Sequence, residues 1–255
     1  MKTFRYASAV LAVLLLFSCA GKPTVKPDEG FNAERLFAKA NKLLDDKDYT
    51  EARAILLEIR NRDLSKKFAP LAQLRLADSY VKEDDTEKAV AEYRRFLDMY
   101  PDHRHAAYAQ YQIAMIYFNQ IESPERGYSG AAAALAEFQK LKRDFPRNPY
   151  KDLIDIRMEK CRNVMGDYEF MVGEFYMHKE SYHAAIERFE GLLKNFPDYK
   201  KPEKVLWNLA LSYRKIGEKE KSREYLNRLV EKFPASAFAS AARKELSSLQ
   251  AGSGK

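Results

Sequence analysis

The sequence predicts an all-α fold assembled from stacked helical hairpins, and three observations carry that expectation. Gly and Pro number only ten each in 255 residues, and no stretch alternates Val, Ile and Thr as a half-buried strand would. Small residues recur on apolar stripes at Ala52, Ala89, Ala134, Ala185 and Ser222, and each is followed four residues later by a large one: Leu56, Tyr93, Phe138, Phe189 and Leu226. Most of these stretches close on a proline, namely Pro101, Pro146, Pro197 and Pro234, which ends a helix because it lacks an N–H and clashes with the preceding turn.

The stretch from Leu74 to Pro101 is the template. Leu76, Ala77 and Tyr80 form one apolar stripe, Glu83 to Thr86 break it, and Ala89, Tyr93 and Phe96 form the next. Ala77 and Ala89 fall where two antiparallel helices cross, where only a methyl-sized side chain lets the backbones approach. This matches the tetratricopeptide pattern, in which paired helices cannot bury both faces alone and therefore stack in arrays. A first copy spans about Asn32 to Asp63 and crosses at Ala40 and Ala52. A third uses Ala114, Tyr117, Ala134, Phe138 and Leu141, with a stretched loop from Ile121 to Gly130 that is either a plain insertion or a contact surface. Next, Asn148 fits an N-cap and Pro149 a first helical residue. The apolar residues Leu153, Ile156, Met158, Cys161, Met165, Phe170, Val172, Phe175 and Tyr176 then predict one helix of about thirty residues, with a kink at Gly166 as the alternative. Its second half opens a fourth copy (Gly173, Tyr176, then Tyr182, Ala185, Phe189, Leu192). A fifth uses Leu206, Leu209, Ala210, Tyr213, Ser222, Leu226 and Leu229, and 235–249 reads as a capping helix. The crossing residues from Ala52 to Ser222 are 37, 45, 51 and 37 residues apart, so the array is irregular. Three copies fall in 32–148, and the long helix, two copies and the cap in 149–249, with 250–255 a loose tail.

Before the array, residues 1–18 carry Lys2 and Arg5 and then an apolar run of about eleven residues, shorter than the roughly 20 a spanning helix needs. Leu16, Phe17, Ser18 and Cys19 resemble the bacterial lipobox. That resemblance implies cleavage before Cys19 and acylation of Cys19, the only covalent group expected in place of a cofactor; the alternative is a plain secretory leader with an incidental Cys. Ala20 after the Cys favours transport to the outer membrane by similarity to known lipoproteins. Residues 19–31, with Gly21, Pro23, Pro27 and Gly30, read as a tether. If Cys19 is acylated, Cys161 has no intramolecular partner and packs as a small apolar side chain.

Net charge is +7, about +5 once Lys2 and Arg5 are removed with the leader. This is too mild and too mixed with acids to argue for a nucleic-acid partner. No phosphate loop, nucleophile elbow or metal-ligand motif occurs, and His103, His105, His178 and His183 lack the spacing that aims two ligands at one ion. The sequence therefore predicts a binding protein and no enzyme, metal or cofactor. In tetratricopeptide arrays the first helix of each pair lines the concave side, which places a peptide groove at Phe37, Asn41, Leu74, Asp78, Tyr108, Tyr111, Met115 and Phe118, unless these are inter-repeat core.

Together these features resemble the BamD family, the lipoproteins of the outer-membrane β-barrel assembly machine. More specific likenesses are Phe68-Ala69-Pro70, Tyr100-Pro101-Asp102-His103, Phe145-Pro146-Arg147-Asn148-Pro149-Tyr150 and Glu187-Arg188-Phe189-Glu190-Gly191. The chain departs from the family's pattern at Arg62-Asp63-Leu64, where a Tyr-Pro is usual, and in its short third-pair loop. The resemblance implies a non-enzymatic adaptor anchored by lipid in the inner leaflet of the outer membrane and facing the periplasm. Its first copies would bind unfolded outer-membrane proteins through their aromatic-ended C-terminal signals. Arg188 and Glu190 would contact the periplasmic domains of the barrel subunit. The alternative is a tetratricopeptide lipoprotein scaffold for pilus or cell-envelope assembly.

Overall fold

Helical hairpins need a tight reversal between their two helices, and four of the five turns here solve it in the same way. Lys47, Asp84, Glu180 and Gly217 each take a positive φ, of 67°, 60°, 58° and 87°. The N–H of the next residue reaches back to the carbonyl five positions earlier: Asp48 to Leu43 at 2.8 Å, Asp85 to Tyr80 at 3.0 Å, Ser181 to Tyr176 at 2.9 Å and Glu218 to Tyr213 at 3.0 Å. This ties off the first helix and aims the chain into the second. Only one of the four is the glycine that this conformation favours.

The computed structural model describes residues 30–251; residues 30–32 group with the amino-terminal unit, and the array is the unit from Ala33 onward. The leader, Cys19 and the tether as far as residue 29, like residues 252–255, lie outside the described residues. Eleven α-helices follow in the described part: α1 (Ala33–Asp45), α2 (Tyr49–Arg62), α3 (Ala69–Lys82), α4 (Thr86–Met99), α5 (Ala106–Asn119), α6 (Ser129–Asp144), α7 (Lys151–His178), α8 (Tyr182–Asn195), α9 (Pro202–Lys215), α10 (Lys219–Lys232) and α11 (Ala237–Ala251). Each packs on its neighbours in sequence, so the described array is five hairpins, α1/α2 to α9/α10, with α7 opening the fourth and α11 covering α10.

The crossing residues are where the spacing places them. Ala40, Ala52, Ala77, Ala89, Ala114, Ala134 and Ala185 have no exposed surface. Gly173 is buried in the same role, because a Cβ there would stand 2.4 Å from the Phe189 ring. Ser222 substitutes for alanine without leaving a polar atom stranded, since its hydroxyl donates to the Ala210 carbonyl at 2.8 Å. The large residues four positions on, Leu56, Tyr93, Phe138, Phe189 and Leu226, are all buried to within 1%.

The first hairpin has no closing proline, and Asp63 does that work. Its carboxylate accepts from the N–H groups of Phe68 (2.6 Å) and Ala69 (2.9 Å) at the start of α3, and from the hydroxyl and N–H of Ser65. Burial opposes the charge, but these bonds outweigh it and hold the carboxyl below its ordinary pKa.

Four expectations need correction. Helix α11 runs from Ala237 to Ala251, so residues 250 and 251 belong to it and not to a loose tail. Helix α7 begins at Lys151 rather than Pro149, and the Asn148 side chain braces the turn before it, donating to the Phe145 carbonyl (2.7 Å) and accepting from the Tyr150 N–H (2.9 Å). Gly130 belongs to α6, so the third-pair loop is shorter than expected and includes a 3-10 turn over Pro124–Arg126. In the first half of α7, Ile154, Met158 and Cys161 face the core, whereas Leu153 and Ile156 are 49% and 66% exposed. The helix runs unbroken through Gly166, whose missing side chain makes room for the Tyr199 ring, 2.5 Å from where a Cβ would be.

Candidate functional sites on the hairpin faces

The first helices of hairpins one to three bring Phe37, Leu74, Asp78 and Tyr108 together around a concavity of about 380 Å³, with Leu71, Arg75 and His105 completing its wall. Asn41 lines an adjoining concavity of about 210 Å³ that shares Arg75 and Asp78. Asp78 is the keystone rather than a free ligand. Its Oδ1 accepts from the hydroxyls of Tyr93 (2.6 Å) and Tyr108 (2.9 Å), and its Oδ2 lies 3.3 Å from the Arg75 guanidinium. Burial, reinforced by the Asp78 charge, pushes the Tyr108 hydroxyl up to about 12, so it stays protonated and donating. Leu74 is only 6% exposed, and the Phe37 ring leans on Phe68 at 5.7 Å. What the concavity offers a ligand is therefore an apolar floor with a half-exposed guanidinium at its edge.

Tyr111, Met115 and Phe118 do not join this concavity. They lie in the seam with α6 and α7. Tyr111 stacks on Tyr150 at 4.0 Å and 10°. Phe118 meets Phe138 at 6.0 Å, with Arg157 and Lys160 over its ring. The expected groove thus divides at Tyr108, because Tyr150 ahead of α7, and Arg157 and Lys160 on it, pack against Tyr111 and Phe118. Arg75 escaped the sequence reading, although its place three residues before Asp78 on one helix face was a usable signal.

Further along, Arg188 on α8 pairs with Glu169 of α7 at 3.0 Å and remains 44% exposed. Its position, three residues after crossing residue Ala185, is that of Glu92 after Ala89 and Glu137 after Ala134. In those earlier hairpins the glutamate takes the side-chain amide of a buried glutamine, Gln73 or Gln110. The fourth hairpin keeps the cross-helix bond but exchanges the partners for a carboxylate and a guanidinium. Glu190 is held within the chain, accepting from the hydroxyls of Tyr213 (2.6 Å) and Tyr225 (2.9 Å), whose rings stack at 5.6 Å. A third concavity, of about 420 Å³ and not anticipated from sequence, lies between α7 and α9, with Glu174, Met177, Tyr182, Asn208, Leu211 and Arg214 on its walls.

Among the described residues no helix is long and apolar enough to cross a membrane, and no group of three or more His, Cys, Asp or Glu is placed to hold a metal. Cys161 is fully buried, and burial pushes its thiol up to about 11, so it is not a poised nucleophile.

Comparison with known proteins adds a lineage. A family model described as outer membrane lipoprotein, YfiO, matches residues 30–226. The outer membrane protein assembly factor BamD of Neisseria meningitidis serogroup A is 28% identical over 239 residues, covering 88% of this chain and 90% of its own. The corresponding factor of Vibrio cholerae is 27% identical over 224 residues, covering 84% and 92%. That of Rickettsia prowazekii is 26% identical over 251 residues, covering 98% and 100%. Among solved structures, the TPR2AB-domain:pHSP90-complex of yeast Sti1 aligns at 13% identity with a TM-score of 0.48, over 86% of this chain and 83% of that one.

Proposed function

The chain belongs to the YfiO outer membrane lipoprotein family, and from that premise we propose that it is a non-enzymatic adaptor in outer-membrane protein assembly. Lipid on Cys19 would anchor it in the inner leaflet of the outer membrane, since each buried methylene is worth about 0.8 kcal/mol and more than one acyl chain makes attachment lasting. The amino-terminal hairpins would receive the aromatic-ended C-terminal segment of an unfolded outer-membrane protein, and the α8 face around Arg188 would dock on the periplasmic domains of the barrel subunit.

The observation that carries this reading is the pairing, in one concavity, of the apolar side chains Phe37, Leu71 and Leu74 with the Arg75 guanidinium. An aromatic side chain followed closely by a chain-terminal carboxylate matches both, one by burial and the other by a charge-assisted hydrogen bond. On α8, Arg188 offers a partner a charged group that is already oriented by Glu169.

The test uses the full-length protein. A fluorescent peptide ending in phenylalanine should bind, and Phe37→Ala or a C-terminally amidated peptide should weaken binding roughly tenfold or more. Separately, Arg188→Glu should lose the barrel subunit in pull-downs from outer membranes while helicity stays unchanged. Equal binding of amidated and free-acid peptides would refute the first half. Retention of the barrel subunit by the Arg188 variant would refute the second, and recovery of only pilus or cell-wall components would favour an envelope scaffold instead.

A further inference from the structure

The second and third hairpins contain the same buried clasp, and in the third it is missing a part. Gln73, four residues before the crossing Ala77, is fully buried. Its amide nitrogen donates to the carbonyl oxygen (2.8 Å) and carboxylate (2.7 Å) of Glu92, and its carbonyl oxygen accepts from the Arg60 guanidinium at 3.3 Å. Gln110, four residues before Ala114, repeats the first two bonds with Glu137 at 3.2 and 2.7 Å and is equally buried. Its own carbonyl oxygen has no donor among the described residues. The repeat explains why. Arg60 stands eight residues after crossing residue Ala52, and the eighth residue after Ala89 is Leu97.

A cavity of about 530 Å³ opens at this defect, between the turn after α4 and the carboxyl end of α6, with Leu97, Gln110, Asp98, Asp102, Lys140 and Asp144 on its walls. Asp144 is paired with Arg143 at 2.8 Å, whereas Asp98 and Asp102 make no ion pair among the described residues. Lys140 lines the cavity without donating to Gln110. The cavity therefore carries surplus negative charge beside a stranded acceptor that itself has no exposed surface, and it shares no lining residue with the amino-terminal concavities.

We propose that this cavity receives an arginine side chain from a partner protein, whose guanidinium restores to Gln110 the bond that Arg60 gives Gln73. A buried carbonyl without a donor is a standing penalty in the free protein, so a donor that reaches it gains more than a surface contact would. Arginine fits better than lysine because its planar fork can serve the Gln110 carbonyl and an adjoining aspartate together. Leu97, which is half-buried and lines the cavity with Gln110, is the side chain that moves aside.

The experiment follows the Gln110 side-chain amide by NMR in the full-length protein labelled with nitrogen-15 glutamine. N-acetyl-arginine methylamide should shift it saturably, and the lysine and neutral citrulline analogues should bind about tenfold more weakly or less. Leu97→Arg supplies the guanidinium from within, so it should raise Tm and abolish the arginine response. Should that variant fail to fold, the surface double variant Asp98→Asn/Asp102→Asn decides, with arginine binding expected to drop about tenfold. Equal binding of citrulline or lysine, a persistent arginine response in folded Leu97→Arg, or unchanged binding in the double aspartate variant would each overturn the proposal.

Discussion

Replacing Gly173 by alanine sets two effects of opposite sign against each other. In the middle of a helix, alanine is favoured over glycine by about 1 kcal/mol. At this position, however, the new Cβ would lie 2.4, 2.7 and 2.8 Å from three ring carbons of Phe189, where carbon atoms normally rest about 3.5–4.0 Å apart. The ring has nowhere to retreat: it is fully buried and sits 5.7 Å from the Phe170 ring. An overlap of more than about 1 Å in a packed core belongs at the upper end of the 1–3 kcal/mol range for overpacking, so the net expectation is a loss of about 2 kcal/mol. In an array of this size that lowers Tm by roughly 4–8 °C. Gly191 on α8 is the internal control, because a Cβ there meets nothing within 4 Å and Gly191→Ala should stabilise by up to about 1 kcal/mol. Thermal and urea denaturation of both variants, with Phe189→Leu and the Gly173→Ala/Phe189→Leu double variant, complete a cycle whose coupling should be about 1 kcal/mol or more in the relieving direction. A Tm that rises for Gly173→Ala as it does for Gly191→Ala would refute the close crossing of α7 and α8.

Two further outcomes follow from hydrogen bonds. Asp63→Ala should cost about 1–2 kcal/mol by freeing the amides at the start of α3. The native carboxyl is held below its unfolded value of about 4, so its contribution is present above that pH and fades as pH falls through the folded pKa; denaturation at pH 7 and pH 3 should show the difference between wild type and variant shrinking at the lower pH. Burial first, then the bond and charge of Glu190, raise the hydroxyl pKa of Tyr213 and Tyr225; spectrophotometric titration of Glu190→Ala should find both ionising at lower pH than in the wild type, and an unmoved titration would contradict the shared carboxylate.

The hairpins were legible in the sequence because close helix crossings leave a mark that cannot be disguised: a small residue with a large one a turn later. Ala52, Ala89, Ala134, Ala185 and Ser222 all carried it. The continuity of α7 through Gly166 was legible too, since no proline interrupts it. The turns were less readable. Lys47, Asp84 and Glu180 adopt a conformation usually flagged by glycine, and the return hydrogen bond, which leaves no trace in composition, holds them there. The first half of α7 misled because Leu153 and Ile156 are apolar yet exposed, while Ile154 occupies the core; a helix packed on one side and open on the other carries apolar residues on both. The groove was half legible for a related reason. Tyr108, Tyr111, Met115 and Phe118 share one helix stripe, and only the arrival of Tyr150, Arg157 and Lys160 decides that Tyr111 and Phe118 are partly covered.

Helix α7 belongs to two hairpin stacks at once. Ile154, Met158 and Cys161 lock into the third, and Phe170 and Gly173 into the fourth, with no hinge between them. It works as a shaft rather than a linker. Each residue along it fixes about 100° of rotation and 1.5 Å of travel, so the register of this single element sets how the faces of the third and fourth hairpins are turned relative to each other. Lineages could change side chains along either face freely, but gaining or losing one residue between Cys161 and Phe170 would twist the two halves out of phase.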